Sequence, residues 1–172
     1  MCIRDRSNDT NESSRIYSTS NGGESWDIVG SGPATNIIKG VVYVSSDVGF
    51  FCYDYVEGMD SNLYKTDDGG KTFAKVMLEE QELDSSAANP QGQETETKTD
   101  SGKNGADSSE QLRWGDVYKE ALTPVVDSTG IITIYLTQGK NAVYNDGKTA
   151  AKYQSSDKGS TWKYIGQVEI KD

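Results

Sequence analysis

The ten residues Tyr153-Gln154-Ser155-Ser156-Asp157-Lys158-Gly159-Ser160-Thr161-Trp162 occur twice more in this chain in slightly altered form. The other copies are Tyr17-Ser18-Thr19-Ser20-Asn21-Gly22-Gly23-Glu24-Ser25-Trp26 and Tyr64-Lys65-Thr66-Asp67-Asp68-Gly69-Gly70-Lys71-Thr72-Phe73. Their shared form is Tyr-x-[Ser/Thr]-x-[Asp/Asn]-x-Gly-x-[Ser/Thr]-[Trp/Phe]. With ordinary residue frequencies these constraints coincide at about one start position in a million or fewer, so three matches in 172 residues mark an internal repeat. We number the copies box 1 to box 3 in chain order.

The pattern predicts a strand, a tight turn and a returning strand. An Asp or Asn side chain accepts hydrogen bonds from amides a few residues ahead, and glycine supplies the positive φ that reverses the chain. A Ser or Thr on either side pins the loop, and the Trp or Phe begins the return strand with a large apolar side chain that packs on the Tyr strand.

Box 3 matches S-x-D-x-G-x-T-W at every position through Ser155, Asp157, Gly159, Thr161 and Trp162. It resembles the Asp-box, or BNR repeat, of sialidases, sortilin-type receptors, photosystem II assembly factors and many bacterial exported proteins. Box 1 (Thr19, Asn21, Gly23, Ser25, Trp26) and box 2 (Thr66, Asp68, Gly70, Thr72, Phe73) depart from that form only by chemically similar exchanges. The resemblance implies an all-β fold, a partial β-propeller of four-stranded antiparallel blades. In that family each box is the turn between the third and fourth strands of a blade. It also implies an extracytoplasmic or secreted protein.

With the boxes placed there, alternation and turn signals supply the other strands. Residues 40–45, 49–56, 62–66 and 72–78 read as one blade within 36–78. Residues 123–127, 131–137, 150–155 and 161–168 read as a second within 113–172. Only 15–19 and 25–29 flank box 1, so 15–30 is expected to be half a blade. About two and a half blades cannot close a ring that typically takes four to eight, and the remaining blades are expected elsewhere in a longer protein. Met1-Cys2-Ile3-Arg4-Asp5-Arg6 resembles a translated sequencing adapter, and 1–14 is expected to be disordered or foreign to the fold.

Residues 79–112 read as a disordered acidic insertion. The stretch from Glu79 to Glu110 holds nine acidic residues against Lys98 and Lys103, and it has too little apolar surface to offset the entropy of ordering. It carries much of the formal net charge of −10, a balance that repels phosphate backbones and argues against nucleic acid as a partner. No apolar run approaches the roughly 20 residues of a membrane span. Cys2 and Cys52 define no disulfide framework, so the redox compartment stays open. The chain has no histidine, which excludes Ser-His and Cys-His triads and His-ligated zinc. No calcium loop, P-loop or dinucleotide fingerprint is legible, so no metal or cofactor is expected.

Within a blade, alternation puts the boxes at one end and the other loops at the opposite end, where the resemblance places ligand sites. The box carboxylates are therefore expected to be structural. The candidate ligand face comprises residues 57–61, 78–122 and 138–148. It offers Trp114, Tyr118 and Tyr144 as stacking platforms, Arg113 as an anion contact, and Asp60, Asp116 and Asp146 as hydrogen-bonding acids. Aromatic rings flanked by polar groups suit sugars; equally, Trp114 and Tyr118 can simply pack at the start of a blade. A sialidase would need three arginines gripping a carboxylate, a Tyr-Glu pair, an aspartate acid and an Arg-Ile-Pro segment. The chain has Arg4, Arg6, Arg15 and Arg113, and Arg15 is followed by Ile16-Tyr17. No catalytic residue is assigned. The expectation is a non-catalytic domain binding a glycan or protein partner, with a sialidase-like hydrolase whose catalytic residues lie outside this chain as the alternative.

Overall fold

The computed structural model describes residues 14–81, 114–139 and 144–170, together with the backbone of 3–5. Nearly all of the regular structure is antiparallel β-sheet, and the fold is all-β. The first sheet is ordered β1(Ile3–Asp5), β2(Arg15–Ser18), β3(Asp27–Ser31). The second is the meander β4(Ile38–Tyr43), β5(Gly49–Tyr53), β6(Leu63–Thr66), β7(Ala74–Lys75). The third is ordered β12(Lys163–Glu169), β11(Thr149–Ser155), β10(Ile132–Thr137), β8(Glu120–Ala121), and β9(Val125–Val126) also pairs with β10. A single helical turn, α1(Trp114–Val117), precedes β8.

The sheets lie face to face. Every residue of β5 is buried because that strand is covered on both sides. Phe51 and Tyr53 point to the first sheet and pack with Ile16, Val29 and Tyr64. Phe50 and Cys52, the alternate residues, point to the third sheet and pack with Ala121, Ile132 and Ile134. Period-two alternation within one five-residue strand thus divides the core into two.

The strands expected around boxes 2 and 3 are present with shifted ends. The expected strand 72–78 is regular only at Ala74–Lys75, with one further backbone bond from the Val76 amide to the Leu63 carbonyl. The expected 123–127 is two short pieces, β8 and β9, on either side of Thr123-Pro124. Proline lacks the N–H that a ladder needs and restrains the residue before it, so the strand breaks there. The first sheet differs more. Ile3–Asp5, inside the segment expected to be unstructured, pairs antiparallel with Arg15–Tyr17, giving three strands where two are expected. Of the acidic stretch 79–112, residues 79–81 have no regular secondary structure, with Glu79 and Glu80 exposed; the rest of that expectation lies outside the described residues.

Candidate functional site

The three boxes share one hydrogen-bond scheme. In box 3 the Ser155 hydroxyl accepts from the amides of Asp157 (3.3 Å) and Gly159 (2.8 Å) and donates to Asp157 Oδ1 (2.7 Å). Asp157 Oδ1 then accepts from the amides of Ser160 (3.0 Å) and Thr161 (2.9 Å), and Oδ2 accepts from the Thr161 hydroxyl (2.6 Å). Box 2 repeats this through Thr66, Asp68 and Thr72, again with 2.6 Å from the Thr72 hydroxyl to Oδ2. Box 1 keeps the Thr19 hydroxyl and the Ser25 amide as donors to Oδ1 but reverses the last bond: Asn21 Nδ2 donates to the Ser25 hydroxyl at 2.9 Å. These local bonds satisfy the turn amides that a chain reversal would otherwise leave unpaired.

The turn needs two consecutive residues at positive φ. Boxes 1 and 2 supply Gly22-Gly23 and Gly69-Gly70, whereas box 3 uses Lys158 (φ 59°) before Gly159 (φ 77°). The last glycine of boxes 2 and 3 has a second duty. A β-carbon on Gly159 would lie 2.5 Å from Cζ of Phe50, and one on Gly70 would lie 3.1 Å from Cγ2 of Ile16. Each of these turns therefore presses against the preceding sheet; at Gly159 only glycine allows that approach, and at Gly70 a β-carbon would require Ile16 to give way. Of the box aromatics, Trp162 extends the contact with the preceding sheet, edge-on to Phe50 at 6.0 Å, whereas Phe73 packs within its own sheet, edge-on to Phe51 at 4.9 Å.

These carboxylates are held ionised. The Thr72 hydroxyl and amide, with Thr66, lower Asp68 to about 2 from its ordinary 3.8. Thr161 and Ser155 lower Asp157 in the same way, and Thr129 lowers Asp127 in the β9–β10 turn. A depressed carboxylate stabilises the fold above its unfolded value and loses that contribution as pH falls toward its folded value. Thermal midpoints are therefore expected to hold down to about pH 4 and then fall toward about pH 2. Asp68→Asn should flatten part of that slope, and box 1, with its amide, adds none. An acid titration followed by circular dichroism checks this.

At the opposite end of the sheets lies a cavity of about 510 Å³ between the second and third sheets. The β5–β6 loop supplies Tyr55, Glu57, Met59 and Asp60, the chain after β7 supplies Met77, Leu78 and Glu80, and α1 with its flank supplies Trp114, Asp116, Tyr118 and Lys119. Lys119 pairs with Glu57 at 2.9 Å and Lys75 with Asp60 at 2.7 Å. Those pairings raise both lysines and lower Asp60 through the hydrogen bonds that they make. Beneath the cavity, Asn62 is 1% exposed and bridges the two sheets. Its Nδ2 donates to the carbonyls of Tyr53 (2.8 Å) and Ala121 (2.9 Å), and its Oδ1 accepts from the Ala121 amide (2.8 Å).

The structure brings part of the expected ligand face together and removes part of it. Trp114, Tyr118 and Tyr144 are only 4%, 3% and 2% exposed. They pack on one another and on Tyr164, with Trp114 4.7 Å from Tyr118 and 5.2 Å from Tyr164. They form a wall within the core and are not open stacking platforms. The residues flanking these three aromatics carry no sequence signal that separates the two outcomes. Asp146 is exposed in the 144–147 turn, where Asn145 and Asp146 both have positive φ and Lys148 stands 3.9 Å away. That turn is anchored by buried Gln138, whose Oε1 accepts from the Tyr144 amide (3.0 Å) and whose Nε2 donates to its carbonyl (2.8 Å). Arg113 lies outside the described residues.

Sequence reasoning missed Asn62 and Gln138, which look like ordinary loop amides, and also Tyr55. Cys52 is buried, its thiol pushed up to about 11 chiefly by desolvation, and it donates to the Ala121 carbonyl at 3.2 Å; it is a packing residue with no thiolate character. Among the described residues no three acidic or cysteine side chains converge as metal ligands, and no helix is long and apolar enough to cross a membrane. No protein-family model matches the chain, and no curated protein or solved structure is significantly similar to it.

Proposed function

We propose that the three sheets are consecutive blades of an Asp-box β-propeller and that the chain is a non-catalytic, extracytoplasmic binding domain. It takes a glycan or protein partner at the loop end. The observation that carries this reading is the position of the cavity: it opens between two sheets at the end away from the boxes, and its volume falls in the range of roughly 300–1,000 Å³ that small ligands occupy. Its accessible groups, Tyr55 and the carboxylates of Glu57, Asp60 and Asp116, suit the hydroxyls and C–H faces of a sugar. The boxes, with their Asp or Asn side chains engaged within the turn, are structural in this reading.

The test is calorimetric titration with a panel of neutral and sialylated oligosaccharides. Tyr55→Ala and Asp116→Ala are each expected to weaken binding about tenfold or more, and Asp157→Asn to leave it unchanged at a temperature where that variant is folded. Binding that survives both cavity substitutions would overturn the placement of the site. Release of free sialic acid from the sialylated members of the panel would overturn the non-catalytic reading in favour of a hydrolase.

A further inference from the structure

The residue that distinguishes box 1, Asn21, is followed by Gly22. A side-chain amide carbon is open to attack by the next backbone nitrogen, and glycine offers no side chain to obstruct it. Asn21 is exposed, and the surroundings of Gly22 are open: a β-carbon there would meet no atom within 4 Å. We propose that Asn21 is a site of spontaneous deamidation, that the closed box slows the reaction, and that one of its two products converts box 1 into a carboxylate box like boxes 2 and 3.

The Gly22 nitrogen bonds to Asn21 Cγ and gives up its proton as ammonia leaves, which closes a five-membered imide. Water then opens the ring. Cleavage of the Cγ–N bond returns a normal peptide with aspartate at position 21, and cleavage at the main-chain carbonyl leaves an isoaspartyl linkage. The net change is one water consumed and one ammonia released, with no oxidant or reductant.

The box controls both steps. Asn21 Oδ1 accepts from the Thr19 hydroxyl (2.9 Å) and the Ser25 amide (3.0 Å), and Nδ2 donates to the Ser25 hydroxyl (2.9 Å). Cγ must rotate out of all three bonds before Gly22 can reach it, so the reaction runs from the opened turn. An aspartate at 21 can re-enter the scheme once the Ser25 hydroxyl turns to donate to the new Oδ2, as Thr72 and Thr161 do at 2.6 Å in the other boxes. That bond is charge-assisted and stronger than the one it replaces. The isoaspartyl product has an extra methylene in the main chain between residues 21 and 22, and it cannot keep the spacing from Thr19 to Ser25 on which the scheme depends.

The test is mass-spectrometric peptide mapping after incubation at mildly alkaline pH, with the chain folded and in denaturant, beside the authentic Asn21→Asp variant. Conversion at residue 21 is expected in both conditions, about tenfold or more slower in the folded chain, equivalent to an opening cost above about 1.4 kcal/mol. The Asn21→Asp variant is expected to melt no lower than the parent at neutral pH and to lose any gain in acid. Absence of conversion in denaturant, equal rates in the two conditions, or a lower melting temperature for Asn21→Asp would each overturn the proposal.

Discussion

Replacement of Asn62 by leucine is expected to destabilise the fold by about 3 kcal/mol or more, which in a chain of this size lowers the melting temperature by roughly 10 °C. Leucine has nearly the shape of asparagine, so the cost is one of hydrogen bonding. β8 pairs with β10 on one side only, and the Ala121 amide and carbonyl point away from that ladder, toward Asn62. The side chain caps this strand edge and also holds the Tyr53 carbonyl at the end of β5. Leucine would leave the Ala121 amide without its acceptor and take the amide donor from the Tyr53 and Ala121 carbonyls, the latter keeping only the weak Cys52 thiol, at the seam of two sheets. Scanning calorimetry checks the size of the effect. A loss below about 1 kcal/mol would show that water substitutes for the amide.

The second large effect is expected at Gly159. Alanine there must hold a φ of 77° and place a β-carbon 2.5 Å from Phe50, in the core shared by the second and third sheets. The backbone component is about 1 kcal/mol and the overpacking component about 1–3 kcal/mol, for a total of roughly 2–4 kcal/mol. Gly22→Ala separates the two. Gly22 has nearly the same φ, 75°, but open space around it, so alanine there should cost only the backbone component. Denaturant unfolding of both variants checks the difference. Equal losses would mean that the box glycine serves the turn alone and not the contact between sheets.

The contrast between these positions also explains how much of the molecule was legible beforehand. The boxes could be read because every partner in their scheme lies within four residues: Ser155, Asp157, Gly159 and Thr161 carry their own geometry in their spacing. The meander around box 2 could be read because alternation and turn residues are equally local. What crosses between sheets was not legible. Asn62 and Ala121 are 59 residues apart and share no motif, and the contact between Gly159 and Phe50 joins residues that no periodicity links. The same limit governs the candidate ligand face. Its end of the fold followed from strand alternation, but whether Trp114 and Tyr118 face outward depends on Tyr164 and Tyr153, which arrive from later strands. The division of the first strand of the third sheet has its signal in Pro124, which lacks the N–H that a ladder needs; β1, lying in an atypical segment, has none.

The turns of boxes 2 and 3, seated on the preceding sheet, are the feature on which the proposed reading rests: in it the boxes are structural and the opposite end takes the ligand. Nuclear Overhauser spectroscopy on the isotopically labelled chain tests that seating most directly. Cross-peaks are expected from the Gly159 α-protons to the Phe50 ring and from the Asn62 side-chain amide to Ala121. Intact cross-peaks within each hairpin, with both of these missing, would contradict the account.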